Sequence, residues 1–135
     1  MALITWNDSY SVKVKQFDDQ HKKLIDMVNE LHDAMKVGKG KEALEKILAE
    51  LIQYTVTHFA NEERLMKLHN YPNYEQHKKE HNLLTLQVSD VQKNFREGNA
   101  TITIAVMTFL KEWLQTHIQG TDKGYAPFLN GKGVV

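Results

Sequence analysis

Two short motifs place potential metal-binding side chains four residues apart. His58 is followed by Glu62, and His77 is followed by His81. On an α-helix such a pair is separated by about 40° around the axis and about 6 Å along it, so both side chains can reach one centre. Imidazole and carboxylate are common transition-metal ligands where thiolate is missing. Each motif alone also occurs by chance on an exposed helix or binds a single zinc ion, so the chemistry depends on what else lies nearby.

Turn-forming residues divide the chain into four segments long enough to be helices. Breakers at 38–40, 70–73, 98–99 and 120–127 leave predicted helices at 19–37, 41–68, 74–97 and 101–119. Short connections make sequential helices antiparallel. We therefore predict an all-α, up-down-up-down four-helix bundle formed by about 19–120, with an extended N-terminal arm at 1–18 and a short C-terminal tail. The whole of 1–135 is predicted to form a single domain.

The apolar seam of every predicted helix becomes polar at one end. That end is N-terminal in the first and third helices and C-terminal in the second and fourth, so antiparallel packing brings the polar ends into one layer. The residues of this layer are His21, His58, Glu62, His77, His81 and His117. One core histidine bonded to a carbonyl is ordinary, but six buried ionisable groups cost several kcal/mol each unless they are paired or bound. A metal site is the favoured interpretation.

Asp122 follows His117 by five residues, which places it about 140° away on a regular helix. The two side chains share a face only if the helix loosens or ends between them. Gly120 lies at the midpoint and would permit a bulge or a frayed last turn. Taken alone, Asp122 would be interpreted as a solvated residue of the tail.

Composition excludes several classes of function. Seventeen Lys and Arg balance seventeen Asp and Glu, so the net charge of zero provides no field for nucleic acid or an anionic membrane. The lack of cysteine excludes disulfides, thiolate zinc sites and iron–sulfur clusters. The most apolar stretch, 102–110, is about half the length of a membrane span. No secretory signal is recognised at the N-terminus, so we expect a cytoplasmic protein without membrane insertion.

The candidate ligands together resemble those of the hemerythrins, in particular the single-domain bacterial hemerythrins. The matching motifs are His21, His58-Phe59-Ala60-Asn61-Glu62, His77-Lys78-Lys79-Glu80-His81 and His117-Ile118-Gln119-Gly120-Thr121-Asp122. The resemblance implies two iron ions (Fe²⁺/Fe³⁺) joined by an oxo or hydroxo bridge. One iron would take His77, His81 and His117 and the other His21 and His58, with Glu62 and Asp122 bridging them. One position on the second iron stays open for O₂.

The resemblance implies reversible dioxygen binding by a carrier, store or delivery protein, and not an enzyme. Positions that form the apolar O₂ pocket of hemerythrins are filled by Phe59, Trp113, Leu114 and Ile118, although such side chains are also ordinary helix core. Carboxylate-rich di-iron enzymes use Glu-x-x-His motifs, which the predicted seams lack. Two alternatives stay open: an oxygen or redox sensor acting through a partner, and a peroxidase, nitric oxide reductase or iron-handling enzyme. Manganese and zinc would also fit these ligands.

Further expectations concern partners and neighbouring residues. Besides dioxygen, the expected partner is an oxygen-consuming recipient enzyme, and the protein is expected to be a monomer with at most weak side oxidase or peroxidase activity. Tyr125 is expected to hydrogen-bond near the site by family analogy. Other polar residues near the ligands are interpreted as solvated or as partners of the imidazoles: Asp18, Asp19, Glu63 and Glu80. His32 and His69 are expected to lie outside the centre.

Overall fold

Helices make up most of the chain that the computed structural model describes, which comprises residues 3–38, 41–98 and 104–135. The main helices are α1 (Lys15–Lys36), α2 (Lys41–Leu68), α3 (Tyr74–Arg96) and α4 (Ile104–Gln115). A π-helical segment (Thr116–Thr121), a 3₁₀ turn (Asp122–Gly124) and a short helix α5 (Ala126–Gly131) follow α4. No strand occurs within these three ranges. The predicted start of the fourth helix at Thr101 lies outside the described residues.

The four long helices pack as the predicted bundle. Helix α1 contacts α2 and α4, and α3 also contacts α2 and α4, so each helix has two neighbours around a common core. Left-handed backbone at Gly38 (φ 75°), Asn70 (φ 59°) and Gly98 (φ 78°) ends α1, α2 and α3. Such backbone is easiest for glycine and tolerated by asparagine, which explains why these predicted breakers end helices. None of the described helices combines the length and apolar character needed to cross a membrane.

The described residues near both ends form more helix and more hydrogen bonds than an extended arm and a short tail would. Helix α1 begins at Lys15, one turn before its predicted start, and the Asp18 carboxylate accepts hydrogen bonds from the Ser11 hydroxyl (2.6 Å) and the Val12 amide (2.8 Å). These bonds tie the arm to the first helical turn. At the other end α5 follows Tyr125 with proline in its first turn, a favourable position because the missing N–H has no intrahelical partner there.

Buried apolar side chains form two clusters on opposite sides of the polar layer. The larger cluster fills the bundle and includes Leu24, Leu48, Val88 and Leu110. The smaller one joins the arm, the end of α2 and the C-terminal segment through Val12, Val14, Phe17, Met66, Tyr125, Ala126 and Leu129. Along α1, His21 separates Phe17 of the small cluster from Leu24 of the large one. The predicted polar layer is therefore enclosed by apolar surface.

Candidate metal centre

Every predicted ligand residue lies in one buried cluster, to which all four sides of the bundle contribute. Helix α1 supplies one residue, α2 two, α3 two, and the segment after α4 two more. The exposed fraction of these residues is between 0 and 4 %. The cluster consists of His21, His58, Glu62, His77, His81, His117 and Asp122. Burial of so many ionisable side chains demands a common partner.

The carboxylate of Glu62 lies at the middle of the cluster. Its Oε1 atom is 3.2 Å from His58 Nε2, 3.3 Å from His81 Nε2 and 3.4 Å from His117 Nε2. Its Oε2 atom is 3.4 Å from His21 Nε2. One carboxylate therefore faces rings from four elements of the fold.

Asp122 provides the second carboxylate, which shares His21 and His117 with Glu62 and also faces His77. Its Oδ2 atom is 2.8 Å from His21 Nε2 and 2.9 Å from His117 Nε2, while its Oδ1 atom is 3.0 Å from His77 Nε2. All five imidazoles thus present Nε2 to the centre. In this orientation each Nδ1 atom is available for a hydrogen bond with a residue outside the ligand cluster.

The π-helical segment explains how Asp122 reaches the centre. Its backbone N–H donates to the His117 carbonyl, the i→i+5 bond of a π-helix, so five residues make about one turn here instead of overshooting it. The predicted loosening around Gly120 is therefore present. A Cβ atom built on Gly120 would meet no heavy atom within 4 Å, so space does not require glycine. Glycine contributes to the loosening through its low propensity for regular α-helix.

The ligand atoms fall into two overlapping groups in which all atoms lie within 4.8 Å of one another. One group holds His21, His58 and His117, and the other holds His77 and His81. Glu62 and Asp122 belong to both. A bridging ligand must be within reach of both metal ions. The membership of Glu62 and Asp122 in both groups meets that requirement.

His117 differs from the expectation, because distance groups it with His21 and His58, while the resemblance assigns it to His77 and His81. Its ring centroid is 5.4 Å from that of His58 and 5.3 Å from that of His81. The ring therefore lies between the two groups, and its assignment to one ion stays a prediction.

Unsatisfied polar atoms show that the cluster suits a cation better than internal hydrogen bonds. Four buried atoms on its inner side have no hydrogen bond of acceptable geometry: His21 Nε2, His81 Nε2, Glu62 Oε1 and Asp122 Oδ2. They nevertheless lie within 3.4 Å of other polar atoms of the cluster. An unsatisfied buried polar atom costs about 1–3 kcal/mol. Lone pairs directed at common points fit first-row metal ions, and the nitrogen and oxygen donor set suits iron.

Burial also controls which groups carry charge. Burial, reinforced by the neighbouring His81, lowers the pKa of His77 to about 3, and burial lowers the pKa of His58. Both rings are therefore neutral at neutral pH and keep the lone pair that a metal ligand needs. Burial raises the pKa of Glu62, but His58 and His117 outweigh it and hold that pKa well below its ordinary value. Burial and the Glu62 carboxylate raise the pKa of Asp122.

Among the described residues, three polar side chains from outside the cluster hydrogen-bond to ligand side chains. The Tyr125 hydroxyl donates to Glu62 Oε2 at 2.5 Å, as the family analogy predicts. Glu63 Oε2 lies 2.8 Å from His81 Nδ1, and Gln20 Oε1 lies 2.5 Å from His58 Nδ1. The contact of Gln20 was not predicted, because it joins α1 to α2 and no local pattern signals it.

Other polar residues near the ligands have different partners. Asp18 binds the arm, Asp19 forms an exposed ion pair with Lys15 at 2.8 Å, and Glu80 accepts a hydrogen bond from the Gln76 amide at 3.5 Å. His32 and His69 belong to neither ligand group.

The predicted pocket residues are buried next to the imidazoles or deeper in the core. Phe59 stacks on His81 with ring centroids 4.0 Å apart and planes 3° apart, and its centroid is 4.7 Å from that of His117. The Trp113 indole donates to the Leu84 carbonyl at 3.0 Å. Leu114 and Ile118 are fully buried in the same apolar cluster as Phe59. A groove of about 510 Å³ between α2 and α3 has Phe59 and His81 among its lining residues.

Comparisons with known proteins match nearly the whole chain to one family. The family described as the hemerythrin HHE cation binding domain matches residues 12–129. A bacteriohemerythrin of Methylococcus capsulatus is 40 % identical over 131 residues, which cover 96 % of this chain and 99 % of that protein. A bacteriohemerythrin of Pseudomonas aeruginosa is 37 % identical over 125 residues, covering 93 % and 80 %. A crystal structure of wild-type hemerythrin superposes with a TM-score of 0.87 at 39 % identity, covering 93 % and 97 %.

Proposed function

The chain belongs to the hemerythrin family of oxygen-binding proteins, and we propose that its seven buried ligand candidates hold two iron ions at which dioxygen binds reversibly. The observation that carries this proposal is the convergence of five Nε2 atoms and two shared carboxylates into two overlapping groups. When bound, the iron pair supplies the electrons and the free coordination position that reversible O₂ binding needs. The protein supplies the ligands and the apolar surroundings.

Each ligand residue has a proposed place in this centre. We assign His77, His81 and His117 to one iron and His21 and His58 to the other, with Glu62 and Asp122 shared. The sharing is supported by membership of both carboxylates in both groups. An oxo or hydroxo group would complete the bridge.

Neutral donors favour binding of O₂ over its cleavage. Five imidazoles contribute no charge in their neutral form, and the two carboxylates contribute at most two negative charges. A ligand set with few anions stabilises high-valent iron less than the carboxylate-rich sets of oxidising di-iron enzymes. We therefore infer an oxygen carrier, store or delivery protein, with any oxidase or peroxidase activity a weak side reaction.

The apolar residues around the ligands keep water from the centre. Phe59 covers one face of His81, and Trp113, Leu114 and Ile118 have exposed fractions of 3 % or less. A pocket without water slows the entry of protons, so bound O₂ is less readily released as peroxide. The Tyr125 hydroxyl holds Glu62 Oε2, so this carboxylate keeps one orientation.

The decisive experiment combines metal analysis with a reversible spectrum. Protein purified from iron-replete cells should contain two irons per chain, and admission of O₂ to the anaerobically reduced protein should produce a charge-transfer band that disappears under vacuum through repeated cycles. Irreversible bleaching with release of peroxide would contradict the carrier function and favour an enzyme, as would sustained turnover of peroxide or nitric oxide that is faster than a weak side reaction.

A matched pair of variants links this result to the ligands. His81→Ala should lose iron and the O₂ band, whereas His69→Ala, which removes a half-buried imidazole outside both ligand groups, should keep both. Equal iron content in the two variants would refute the proposed centre.

We also propose that the chain works as a single-domain cytoplasmic monomer that supplies an oxygen-consuming enzyme. Sedimentation and cell fractionation test the first part, and co-purification tests the second.

A further inference from the structure

Two of the imidazoles contact side chains of different charge through Nδ1, the ring nitrogen that does not face the centre. His81 Nδ1 lies 2.8 Å from the Glu63 carboxylate, and His58 Nδ1 lies 2.5 Å from the Gln20 amide oxygen. Both partners are acceptors, so each ring must carry its proton on Nδ1. The lone pair is then on Nε2, which faces Glu62 in both rings. Each contact therefore prepares its ring to bind a metal ion.

The two contacts are chemically unequal. A carboxylate forms a charge-assisted hydrogen bond to an imidazole N–H and increases the electron density on the opposite nitrogen, whereas a neutral amide does so less. The two rings also belong to different ligand groups, His81 with His77 and His58 with His21. By contrast, the Nδ1 atoms of His21 and His117 are buried without a hydrogen-bond partner. The strongest nitrogen donor is thus on the His77–His81 side.

We propose that Glu63 is a positioning residue that makes the His77–His81 side the first to take up a metal ion, with the His21–His58 side, held by Gln20, filled second. This inference rests on the proposed function, because it presupposes two ions. Glu63 has a side-chain exposure of only 20 %, against 1 % for His81, so water screens its charge weakly. The centre would then load in a fixed order set by the charge of the outer contacts.

Calorimetric titration of the metal-free protein with Zn²⁺ tests the order of loading, since Zn²⁺ accepts these donors and is diamagnetic. We expect two binding steps for the unaltered chain. Glu63→Gln should weaken the tighter step by about 10- to 100-fold and leave the weaker step unchanged. Gln20→Glu should strengthen the weaker step. Glu80→Gln is the matched control, because it removes the same charge beside His81 in the sequence while its side chain contacts Gln76.

Nitrogen-15 NMR of the histidine rings provides a readout that a general loss of stability would not move. In the metal-free protein His81 should be protonated on Nδ1, and the first equivalent of Zn²⁺ should shift Nε2 of His77 and His81 before that of His21 and His58. Early shifts of His21 and His58, or equal weakening of both steps by Glu63→Gln, would overturn the inference. An unaltered chain that binds only one ion would overturn the two-ion function as well. Gln20→Glu keeps the inference testable if Glu63→Gln does not fold.

Discussion

Replacing Tyr125 by phenylalanine removes one hydroxyl group from the centre of the protein and little else. The hydroxyl donates to Glu62 Oε2 at 2.5 Å, and the ring packs against Phe17 and His77 with centroids 5.6 and 5.4 Å away. Phenylalanine retains those ring contacts. Burial and the nearby Asp122 and Glu62 carboxylates raise the pKa of Tyr125 well above its ordinary value, so the phenol remains a donor at every working pH.

The expected loss of stability follows from the charge of the acceptor. A hydrogen bond to a charged group contributes about 1.5–3 kcal/mol, against about 0.5–1.5 kcal/mol for a neutral pair. Glu62 is ionised, because the neighbouring imidazoles hold its pKa low in spite of burial. Tyr125→Phe should therefore lower the free energy of unfolding of the metal-free protein by about 2 kcal/mol. With the usual entropy of unfolding per residue, the thermal midpoint should fall by about 7 °C.

Urea unfolding of the metal-free protein measures this loss, and two further variants identify its cause. Tyr10→Phe is the matched control, since the buried Tyr10 hydroxyl accepts a hydrogen bond from the neutral Gln115 amide at 2.9 Å. In a Glu62→Gln background, Tyr125→Phe should cost only as much as the control. Equal losses for Tyr125→Phe and Tyr10→Phe, or a loss unaffected by Glu62→Gln, would refute the assignment of the charge-assisted bond.

Three more predictions concern the pocket, pH and metal. Leu114→Ala should speed autoxidation of the oxygenated protein, while Leu110→Ala, an equally buried change in the same helix, should not; each should also cost about 2–5 kcal/mol of stability. Because the pKa of His77 falls from 6.5 to about 3 on folding, the unfolded chain binds the proton that the folded one releases. The contribution of this ring to the free energy of unfolding of the metal-free protein should thus be greatest above pH 6.5 and fall towards pH 3, by up to about 1.4 kcal/mol per pH unit, whereas the raised pKa of Asp122 acts in the opposite direction. A urea profile against pH that is the same in a His77→Gln variant would contradict this. Zn²⁺ at about 100 times its dissociation constant should raise the free energy of unfolding by about 2.7 kcal/mol, and an unchanged thermal midpoint would show that the folded cluster does not bind it.

The features that could be predicted are those with a local period or a local spacing. Helix α2 has its predicted bounds, and its seam from Leu44 to Leu51 is buried as the spacing of apolar residues indicates. Spacing alone leaves Asp122 in the solvated tail, and the resemblance to the hemerythrins places it with His117, while Gly120 marks the weak point in the helix that makes this possible. The structure shows how that weakness is used, through one i→i+5 turn.

Features that depend on contacts between distant segments could not be predicted. The early start of α1 follows from Asp18 binding the arm at Ser11, and nothing in the period of the helix records that bond. Gln20 contacts His58 across a sequence separation of 38 residues. The same limit applies to the division of imidazoles between two ions, since His117 is almost equally distant from His58 and His81.

The separation of the apolar interior into two clusters has a consequence for local unfolding. Phe17 and Tyr125 of the small cluster contact His58 and His77, so ligand residues form part of the connection between that end of the molecule and the rest. We expect the small cluster to open as a unit at a lower free energy than global unfolding, so that its amide hydrogens exchange with solvent sooner than those in the middle of α2. Metal ions held by residues on both sides would fasten the two parts together and slow that exchange.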